Sequence, residues 1–538
     1  MLTRRNFLQV LGAGTAVGVA GGLGWGEQAA RADAVGSRPS ASPPLPAEIS
    51  HVVLLMLENR SFDHLLGWLP GADGRTDLVF RAPNGNAYRN YPLAPDFQGC
   101  GYSDADHSWE GWLVENDNSQ LDGFLQRPGK APSTPGVTPA AVNTFPIGYY
   151  TNLGADGTPK AVPDLPVLGA LAQHYTVVDR YFAGIAAETY PNRFYQHAAR
   201  TDRDHNSSAT SKLPAIWDQL WPAGMAGNVA GRPTGAYYYQ DLPFLALWGT
   251  KYLSFVRPYS ASTGNIPPGL GLPPRFPGTT FLDAVKAGAL PNVSYVDPSF
   301  LDEGSGTSGD DHPLADIRVG ERLIADVYHA LANSGYLDST VLVVTFDEWG
   351  GFYDHVPPPL VTDDTDPATV DHSGNARPAG FPGPNHPDYR QLGFRVPCIV
   401  VSNHAAARVV GGGPFVHTST LALIESLFGL SPMTARDANA ANLGSVLTAT
   451  GRTDDPSSSI PTSDQVPGPP SGALAACGPT STQSVPPPPV APAVVPESPW
   501  SAALPAALAV GAGAAAVSVA HRRRLPAATG AEAGEGIG

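Results

Sequence analysis

A continuously apolar run near the start of the folded part of the chain limits what the chain can fold into. The stretch HVVLLML at residues 51–57 contains six apolar residues in succession, Val52 to Leu57. Such a run is typical of a central strand in a parallel sheet, because helices cover both faces of that strand. The run therefore predicts an α/β fold. The polar residues that follow it are expected at the carboxyl edge of the sheet, where ligands bind in open α/β folds.

Similar runs recur along the chain, and helical patterns lie between them. The strand-like runs are YTVVDRYF, NVSYVD, VLVVTFD and CIVVS, and the helical patterns include DIRVGERLIADVYHALANSG and HTSTLALIESLFGL. This alternation predicts an α/β sandwich with a central, mostly parallel sheet flanked by helices. Because no internal repeat and no second linker interrupts the pattern, we expect one large domain at residues 48–447.

The first residues resemble a targeting segment. The stretch LTRRNFLQVLGAGTAVGVAGG joins Arg4 and Arg5 to a weakly apolar region, and ARADA offers small residues at cleavage spacing. These features predict a twin-arginine export signal at residues 1–32. The alternative, a first helix of the domain, is disfavoured by the glycine content and by the loop-like GSRPSASPPLP that follows.

The last residues separate by composition into three parts. Residues 453–499 are rich in Pro and Ser and predict an extended linker. Residues 501–520 are uncharged, with a Trp on one side and three arginines on the other. They predict a transmembrane anchor, with the tail 521–538 in the cytoplasm and the catalytic domain outside the cell. A soluble Ala-rich helix is the alternative.

Charge and cysteine content limit the function classes. The formal net charge is -16 and 15% of the residues are charged, which excludes the basic surface expected of a nucleic-acid binder. The cysteines are Cys100, Cys398 and Cys477, and Cys477 lies in the range assigned to the linker. A disulfide between Cys100 and Cys398 is open to an exported chain, although spacing alone does not establish it.

Two apolar runs nearly three hundred residues apart each end on a pair of oxygen ligands. Glu58 and Asn59 follow the first run, and Asp347 and Glu348 follow VLVVTF, before a Gly-Gly turn that lets backbone approach closely. Carboxylates that meet at one sheet edge repel each other unless a cation neutralises them. Carboxylate and amide oxygens favour Ca2+ or Mg2+, with Zn2+ possible. Each pair taken alone would be explained as the cap of the next helix.

The stretch AETYPNRFYQHAAR places a hydroxyl and a guanidinium at the start of a helix. Thr189 precedes Pro191, a residue preferred in the first helical turn. Anions are favoured at that helix end, and Arg193 could hold phosphate oxygens there in a bidentate manner. A plain N-cap is the alternative role for Thr189.

Four histidines lie in polar or Gly/Pro-rich loops, where functional residues concentrate. A phosphoester hydrolase needs an acid for the leaving oxygen and a donor for the phosphoryl oxygens. We rank His107 and His312 first for these roles, His355 next and His417 last, because His417 opens a helix. Each could instead be a surface histidine or support another residue.

Several motifs in order resemble one known family. ENRSFDH, TYPNR, DDHP, DEWGGFYDHV, RVPCIVVS and HTSTLALIE together look like the bacterial phosphoesterase family of non-haemolytic phospholipases C and acid phosphatases, within the alkaline-phosphatase-like superfamily. The resemblance implies Thr189 as the nucleophile, and His107 and His312 resemble the family's active-site histidines. It also implies a set of metal ligands: Glu58, Asn59, Asp347 and Glu348.

The sequence thus predicts an exported, metal-dependent phosphoester hydrolase that forms a phosphothreonine. A surface-anchored protein that binds phosphate or metal without turnover is one alternative, but it would need no nucleophile. A sulfatase would need Cys or Ser in the Cys/Ser-x-Pro-x-Arg motif, where TYPNR has threonine. Longer phospholipase C relatives carry β-rich domains after the catalytic one. Because a Pro-rich segment follows here, the sequence favours small phosphate esters over bilayer phosphatidylcholine.

An aromatic cluster could bear on that choice of substrate. Residues 237–252, YYYQDLPFLALWGTKY, could cover the site and hold a choline headgroup by cation-π attraction. The alternative is a strand at residues 237–239 whose rings lie in the core.

Overall fold

The computed structural model describes residues 45–130, 140–301, 303, 306–468, 477 and 488–490. All of these except Val490 belong to one compact unit. The predicted export signal, the predicted span at 501–520 and the tail lie outside the described residues. Among the described residues, no helix is both long enough and apolar enough to cross a membrane.

Fifteen strands build the described part of the fold. They are β1 (His51–Leu57), β2 (Val79–Arg81), β3 (Ala87–Arg89), β4 (Tyr91–Pro92), β5 (Gly148–Tyr149), β6 (Thr176–Val178), β7 (Tyr181–Phe182), β8 (Trp221–Pro222), β9 (Thr234–Tyr239), β10 (Val256–Pro258), β11 (Val293–Val296), β12 (Thr340–Phe346), β13 (Cys398–Val401), β14 (Arg408–Val410) and β15 (Phe415–Val416).

The main sheet has nine strands in the order β10-β9-β11-β1-β12-β13-β6-β14, with β8 beside β9. All neighbours in it run parallel except at β13, which is antiparallel to both β12 and β6. The smaller pairs are β2 with β3, β4 with β5, and β7 with β15. The predicted α/β sandwich with a mostly parallel sheet is therefore confirmed.

Eight α-helices accompany the strands, together with short 3-10 turns. They are α1 (Phe62–Leu66), α2 (Trp109–Asn116), α3 (Pro166–His174), α4 (Thr189–Ala198), α5 (Phe281–Lys286), α6 (Ile317–Asn333), α7 (His417–Phe428) and α8 (Ala435–Ala438). Helix α3 packs on α6, and α4 packs on α7.

Strands β1 and β12 form the middle of the sheet. Residues 52–57 of β1 and all of β12 are buried, which explains why both appear in the sequence as unbroken apolar runs. The two strands pair in parallel, so that Leu57 lies opposite Phe346. Whatever follows these two residues in the chain must therefore meet at one edge of the sheet.

The suggested disulfide between Cys100 and Cys398 is wrong. Cys100 is bonded to Cys477, with 5.2 Å between their Cα atoms, and the two sulfurs pack against Leu314. Cys398 is a buried free thiol at the start of β13, in the interior of the sheet. The sheet therefore keeps Cys398 away from the loop that carries Cys100.

The packed part of the chain continues beyond the domain boundary predicted at residue 447. Ile460 and Val466, within the range assigned to a linker, are buried in the main hydrophobic core. Their carbonyl groups accept hydrogen bonds from His329 and Arg322 of α6, at 3.0 and 3.1 Å. This segment therefore covers one side of α6.

A buried carboxylate joins α6 to the start of α3. Helix α3 begins with Pro166 and has no side-chain cap of its own. The Glu321 carboxylate accepts from the backbone N–H groups of Val167 and Leu168, at 2.5 and 3.1 Å. Burial raises the pKa of Glu321 to about 7, although these two donors act in the opposite direction.

Glu321 makes a pH dependence expected. Its folded pKa lies above the ordinary value of 4.5, so its contribution to stability is full below the unfolded pKa and is lost as the pH rises to about 7. Between about pH 5 and about pH 8, the free energy of unfolding of the wild-type chain should fall by about 2–3 kcal/mol more than that of Glu321→Gln. Urea unfolding at the two pH values measures it, and equal pH slopes for both chains would contradict the assignment.

Candidate active site

The structure brings together the four polar residues that follow β1 and β12. Glu58 and Asn59 come directly after β1, and Asp347 and Glu348 come directly after β12. All four are buried, with at most 2% of each side chain exposed. The two pairs lie at the same edge of the sheet, as the sequence predicts.

Hydrogen bonds hold the two strand ends against each other. The Asp347 carboxylate accepts from the backbone N–H groups of Asn59, at 3.1 Å, and of Glu348, at 2.7 Å. Asn59 has a φ of +59°, a backbone conformation that non-glycine residues adopt mainly where the surrounding structure fixes it. Such positions are concentrated at functional sites.

The Gly-Gly turn after Glu348 allows the close approach that the sequence predicts. Gly350 has a φ of +65°, and a Cβ there would lie 2.1 Å from the Asn59 carbonyl oxygen. Its N–H donates to the Glu348 carboxylate at 2.6 Å. A larger residue at 350 would therefore displace both strand ends.

Thr189 is the first residue of α4, and its hydroxyl faces the strand ends. Its Oγ1 donates to Asn59 Oδ1 at 3.3 Å, and only 4% of the residue is exposed. Glu188 occupies the N-cap position, where no side chain caps the helix. The alternative of a plain N-cap does not describe Thr189, because its described hydrogen bond goes to Asn59.

Arg193 lies one turn further along α4 and contacts three carboxylates. Its Nε lies 3.1 Å from Asp347, its Nη1 lies 3.2 Å from Asp297 and its Nη2 lies 3.2 Å from Glu58. Burial lowers the pKa of Arg193, but these carboxylates outweigh it and raise that pKa above its usual value. The sequence suggested that Arg193 holds phosphate oxygens, whereas here it neutralises carboxylates.

His107 lies next to Asn59 and Glu348. Its Nε2 is 3.4 Å from Asn59 Nδ2 and 3.9 Å from Glu348 Oε1, and its Nδ1 donates to the Ala105 carbonyl at 2.8 Å. Burial lowers the pKa of His107, but the charges of Glu348, Asp104 and Glu188 outweigh it and raise that pKa to about 9. His107 is therefore a proton donor at neutral pH.

His312 packs edge-on against His107, with 5.7 Å between the ring centres. Burial and the neighbouring His107 hold its pKa well below the usual value. Its Nδ1 donates to the Pro313 carbonyl at 3.0 Å, so the neutral ring presents Nε2 as an acceptor. Asp104, His107 and His312 also form a group whose ligand atoms lie within 4.8 Å of one another.

His355 and His417 have other neighbours. One ring nitrogen of His355 contacts Asp63 at 2.6 Å and the other contacts Asp73 at 3.0 Å. Neither aspartate is one of the strand-end residues. The Nε2 of His417 donates to the Asp347 carbonyl at 2.6 Å. Burial lowers the pKa of His417 to about 4. The histidine ranked last in the sequence thus supports Asp347, whereas His355 belongs to a separate ion-pair cluster.

The site includes acidic residues that the sequence analysis missed. Asp297 follows β11 at the same sheet edge, so the D that ends NVSYVD was a usable signal. Asp310 and Glu303 lie near Glu58, and Asp104 lies near His107. Asp310 belongs to the DDHP motif, but for Glu303 and Asp104 we find no local pattern.

A cleft of about 320 Å3 opens beside His107. Its wall includes Glu188, the residue before Thr189. Most of the residues that line the cleft are charged or polar. The full lining is Asp104, Ala105, Asp106, His107, Ser108, Arg127, Pro128, Gly129, Lys130, Glu188 and Asn206.

The aromatic cluster at residues 237–252 lies in the core. Tyr237, Tyr238 and Tyr239 belong to β9, and each has at most 1% of its surface exposed. Phe244, Trp248 and Tyr252 are also buried. The core alternative is confirmed, and these rings do not form an open cage for a choline group.

Comparison with known proteins assigns this site to a family. The model of the Phosphoesterase family matches residues 49–431. The chain belongs to this phosphoesterase family. It is 31% identical to non-specific phospholipase C6 of Arabidopsis thaliana over 437 residues, which cover 76% of the chain and 74% of the relative. It is 30% identical to phospholipase C B of Mycobacterium tuberculosis over 470 residues, covering 80% and 82%. This chain is thus a phosphoester hydrolase, and the resemblance noted in its sequence is confirmed.

A solved structure of an alkaline phosphatase superfamily protein from Vibrio parahaemolyticus also matches this phosphoesterase. It is 12% identical, covers 54% of the chain and 67% of its own length, and has a TM-score of 0.27.

The strand-end residues of this phosphoesterase fit a hard divalent cation. Burial, with the charge of Asp347, raises the pKa of Glu58 well above its usual value, and burial also raises that of Glu348. Glu348 Oε1 is buried and has no hydrogen-bond partner among the described residues. Oxygen donors without thiolates, at this density of buried charge, suit a divalent metal ion.

Proposed function

We propose that this phosphoesterase cleaves its substrate in two steps through a phosphothreonine on Thr189. The observation that carries the proposal is the direction of the Thr189 hydroxyl, which donates to Asn59 at the strand ends and does not cap its helix. A hydroxyl held at a helix start, next to buried carboxylates, is suitably placed for a phosphoryl group.

Glu58, Asn59, Asp347 and Glu348 would hold a divalent cation, with Ca2+ or Mg2+ favoured. When bound, the cation supplies positive charge that lowers the pKa of the Thr189 hydroxyl and neutralises phosphoryl oxygens. Asn59 would orient Thr189 through the hydrogen bond that already joins them. Arg193 would keep Glu58 and Asp347 in place while limiting their mutual repulsion.

The two histidines would divide the proton transfers. In the first step the Thr189 oxygen bonds to phosphorus, the ester bond to the leaving alcohol breaks, and His107 gives that alcohol a proton. The proton of the Thr189 hydroxyl passes to solvent in this step and returns from solvent when Thr189 is released. In the second step a water molecule attacks the phosphothreonine and releases Thr189. His312, neutral and with a free Nε2 lone pair, would accept the proton of that water.

The structure and the relatives favour a phosphodiester substrate of the phospholipase C type. Hydrolysis of a monoester dianion would require positive charge beyond the cation. Arg193 has its nitrogens on three carboxylates, so protonated His107 would have to supply that charge while it also serves as the acid. Several relatives that the chain resembles are named phospholipases C. A small water-soluble phosphate ester is the second candidate, because several charged side chains line the cleft at His107.

A substrate panel tests this proposal. With Ca2+ or Mg2+ present, phosphatidylcholine in mixed micelles and a soluble phosphodiester should be cleaved with a kcat/KM at least about tenfold above that of p-nitrophenyl phosphate. Chelator should abolish every activity. If p-nitrophenyl phosphate is the preferred substrate, the small phosphate ester is the better candidate. If all substrates bind but none is cleaved, the alternative of a binding protein is favoured.

We further propose that the chain is exported by the twin-arginine route and anchored by residues 501–520, both outside the described residues. The Cys100–Cys477 disulfide supports export, because such bonds persist mainly in oxidising compartments. Replacing Arg4 and Arg5 with Lys should retain the enzyme in the cytoplasm, as cell fractionation would measure. A chain that ends at Pro489 should be released from membranes, and equal partitioning of both chains would contradict the anchor.

A further inference from the structure

A second acidic group adjoins the strand-end residues. Glu58, Glu303 and Asp310 each offer a carboxylate oxygen, and these oxygens lie within 4.8 Å of one another. All three residues are buried, with at most 2% of their surface exposed. Only Glu58 belongs to the four ligands assigned above, so the group extends beyond that site.

Asp310 has an acceptor that the described residues do not satisfy. Its Oδ1 accepts from the Ser308 hydroxyl at 2.7 Å and from the His312 N–H at 3.0 Å. Its Oδ2 is buried and has no hydrogen-bond partner among the described residues. A buried carboxylate oxygen in this state is costly, which indicates a ligand that the described residues do not supply.

The arginine that contacts Glu58 is shared with other carboxylates. The Arg193 guanidinium contacts Glu58 at 3.2 Å, but it also contacts Asp297 and Asp347. Its single charge is therefore divided among three carboxylates. The donors that Asp310 receives, a hydroxyl and a backbone N–H, are neutral. Glu303 and Asp310 place two further carboxylates next to Glu58, and carboxylates at this distance repel one another.

The backbone holds this group in place. The Glu58 N–H donates to the Asp310 carbonyl at 2.8 Å, which fixes the loop of Asp310 to the end of β1. Asp311, the next residue, has a φ of +73° and accepts at its carbonyl from Arg60 Nε at 2.7 Å. The carboxylates of Glu58 and Asp310 are therefore presented by a fixed backbone, as binding of a cation requires.

We propose that Glu58, Glu303 and Asp310 bind a second divalent cation, of the hard, oxygen-preferring kind such as Ca2+ or Mg2+. Glu58 would contribute to both cation sites, and the inference rests on the proposed function only through this shared residue. A second cation would lower the repulsion among the three carboxylates and satisfy Asp310 Oδ2. The competing explanation is that protons shared among the three carboxylates remove the repulsion.

Counting bound ions on the full chain tests the proposal. The protein is stripped with chelator, dialysed to equilibrium against Ca2+ alone or Mg2+ alone, and assayed for metal by mass spectrometry. We expect two ions per wild-type chain with at least one of the two metals, and one ion per chain for Glu303→Gln. Asp310→Asn should also bind one ion, and its amide oxygen can still accept from Ser308 and His312. Glu48→Gln removes an exposed carboxylate and should leave the count at two.

The outcomes separate this inference from the proposed function. The second site is overturned if the wild-type chain binds one ion or none with each metal. It is also overturned if Glu303→Gln and Asp310→Asn both bind as many ions as the wild-type chain. Glu348→Gln, which affects only the first site, should retain one ion. If the ions number two but Thr189 is never phosphorylated, the proposed mechanism fails while the second site stands. Circular dichroism confirms that each variant is folded before its ions are counted.

Discussion

Replacing Thr189 with Ala should abolish hydrolysis while the protein remains folded and keeps its metal. The Thr189 hydroxyl is the atom that the proposal places on phosphorus, so removing it should lower kcat/KM by about 10^4-fold or more. The lost hydrogen bond to Asn59 should cost stability by only about 1 kcal/mol. Thr189→Ser keeps a hydroxyl and should retain part of the activity. Initial rates, bound metal and thermal unfolding measure the three expectations.

The chain offers a matched control for Thr189. Thr280 is a true N-cap, whose side chain accepts from the Asp283 N–H at 3.1 Å at the start of α5. Thr280→Ala should cost about 1 kcal/mol of stability through the lost cap and leave kcat/KM unchanged. If Thr189→Ala behaves in the same way, or if quenched turnover traps phosphate on another residue, Thr189 is not the nucleophile.

The sequence predicts those parts of the fold in which burial determines a pattern of residues that are neighbours along the chain. Residues 52–57 of β1 and the strand β12 are covered on both faces, so each appears as an unbroken apolar run. Parallel neighbours end at the same edge, and therefore the polar pairs after the two strands could be placed together from the sequence alone. The glycine at 350 was predictable for a related reason, because only a residue without Cβ can approach Asn59 so closely.

The contacts that the sequence does not predict depend on where distant segments pack. Cys100 and Cys477 are 377 residues apart, and no local pattern indicates that the chain near Cys477 returns to the domain. Arg193 lies on the same helix as Thr189, and its position at the start of that helix suggested phosphate binding. Only the arrangement of Glu58, Asp297 and Asp347 around it shows that carboxylates occupy its nitrogens.

The histidines show the same limit. His107 and His312 both occur in polar loops of the sequence, and nothing local distinguishes their protonation. Their surroundings do: carboxylates raise the pKa of His107 to about 9 against the effect of burial, whereas burial and His107 lower that of His312. His355 occurs in an equally suggestive motif, yet its ring contacts Asp63 and Asp73 in another cluster. Function assigned by motif alone would treat the three as equivalent.

Glu348→Gln should remove one bound cation per chain and lower kcat/KM by about 10^3-fold or more. Glu348 is a sharper target than Asp347, because Asp347 also accepts from two backbone N–H groups and contacts Arg193, so its loss would disturb the strand ends themselves. Glu348 has one oxygen on the Gly350 N–H, and the other has no hydrogen-bond partner among the described residues. A glutamine can keep the first contact while removing the charge that a cation requires.

Glu115→Gln is the matched control for that substitution. Glu115 is as deeply buried, and its Oε2 accepts from the Trp349 indole N–H at 2.8 Å. Burial raises its pKa well above the usual value, and a glutamine keeps an oxygen that can accept from Trp349. This variant should keep its metal content and its kcat/KM. If both variants lose metal and activity, the loss follows from replacing any buried glutamate and does not identify Glu348 as a ligand. If the wild-type enzyme keeps full activity after removal of all metal, the cation has no role in catalysis. Loss in Glu348→Gln alone is the result that the donor set at the ends of β1 and β12 predicts.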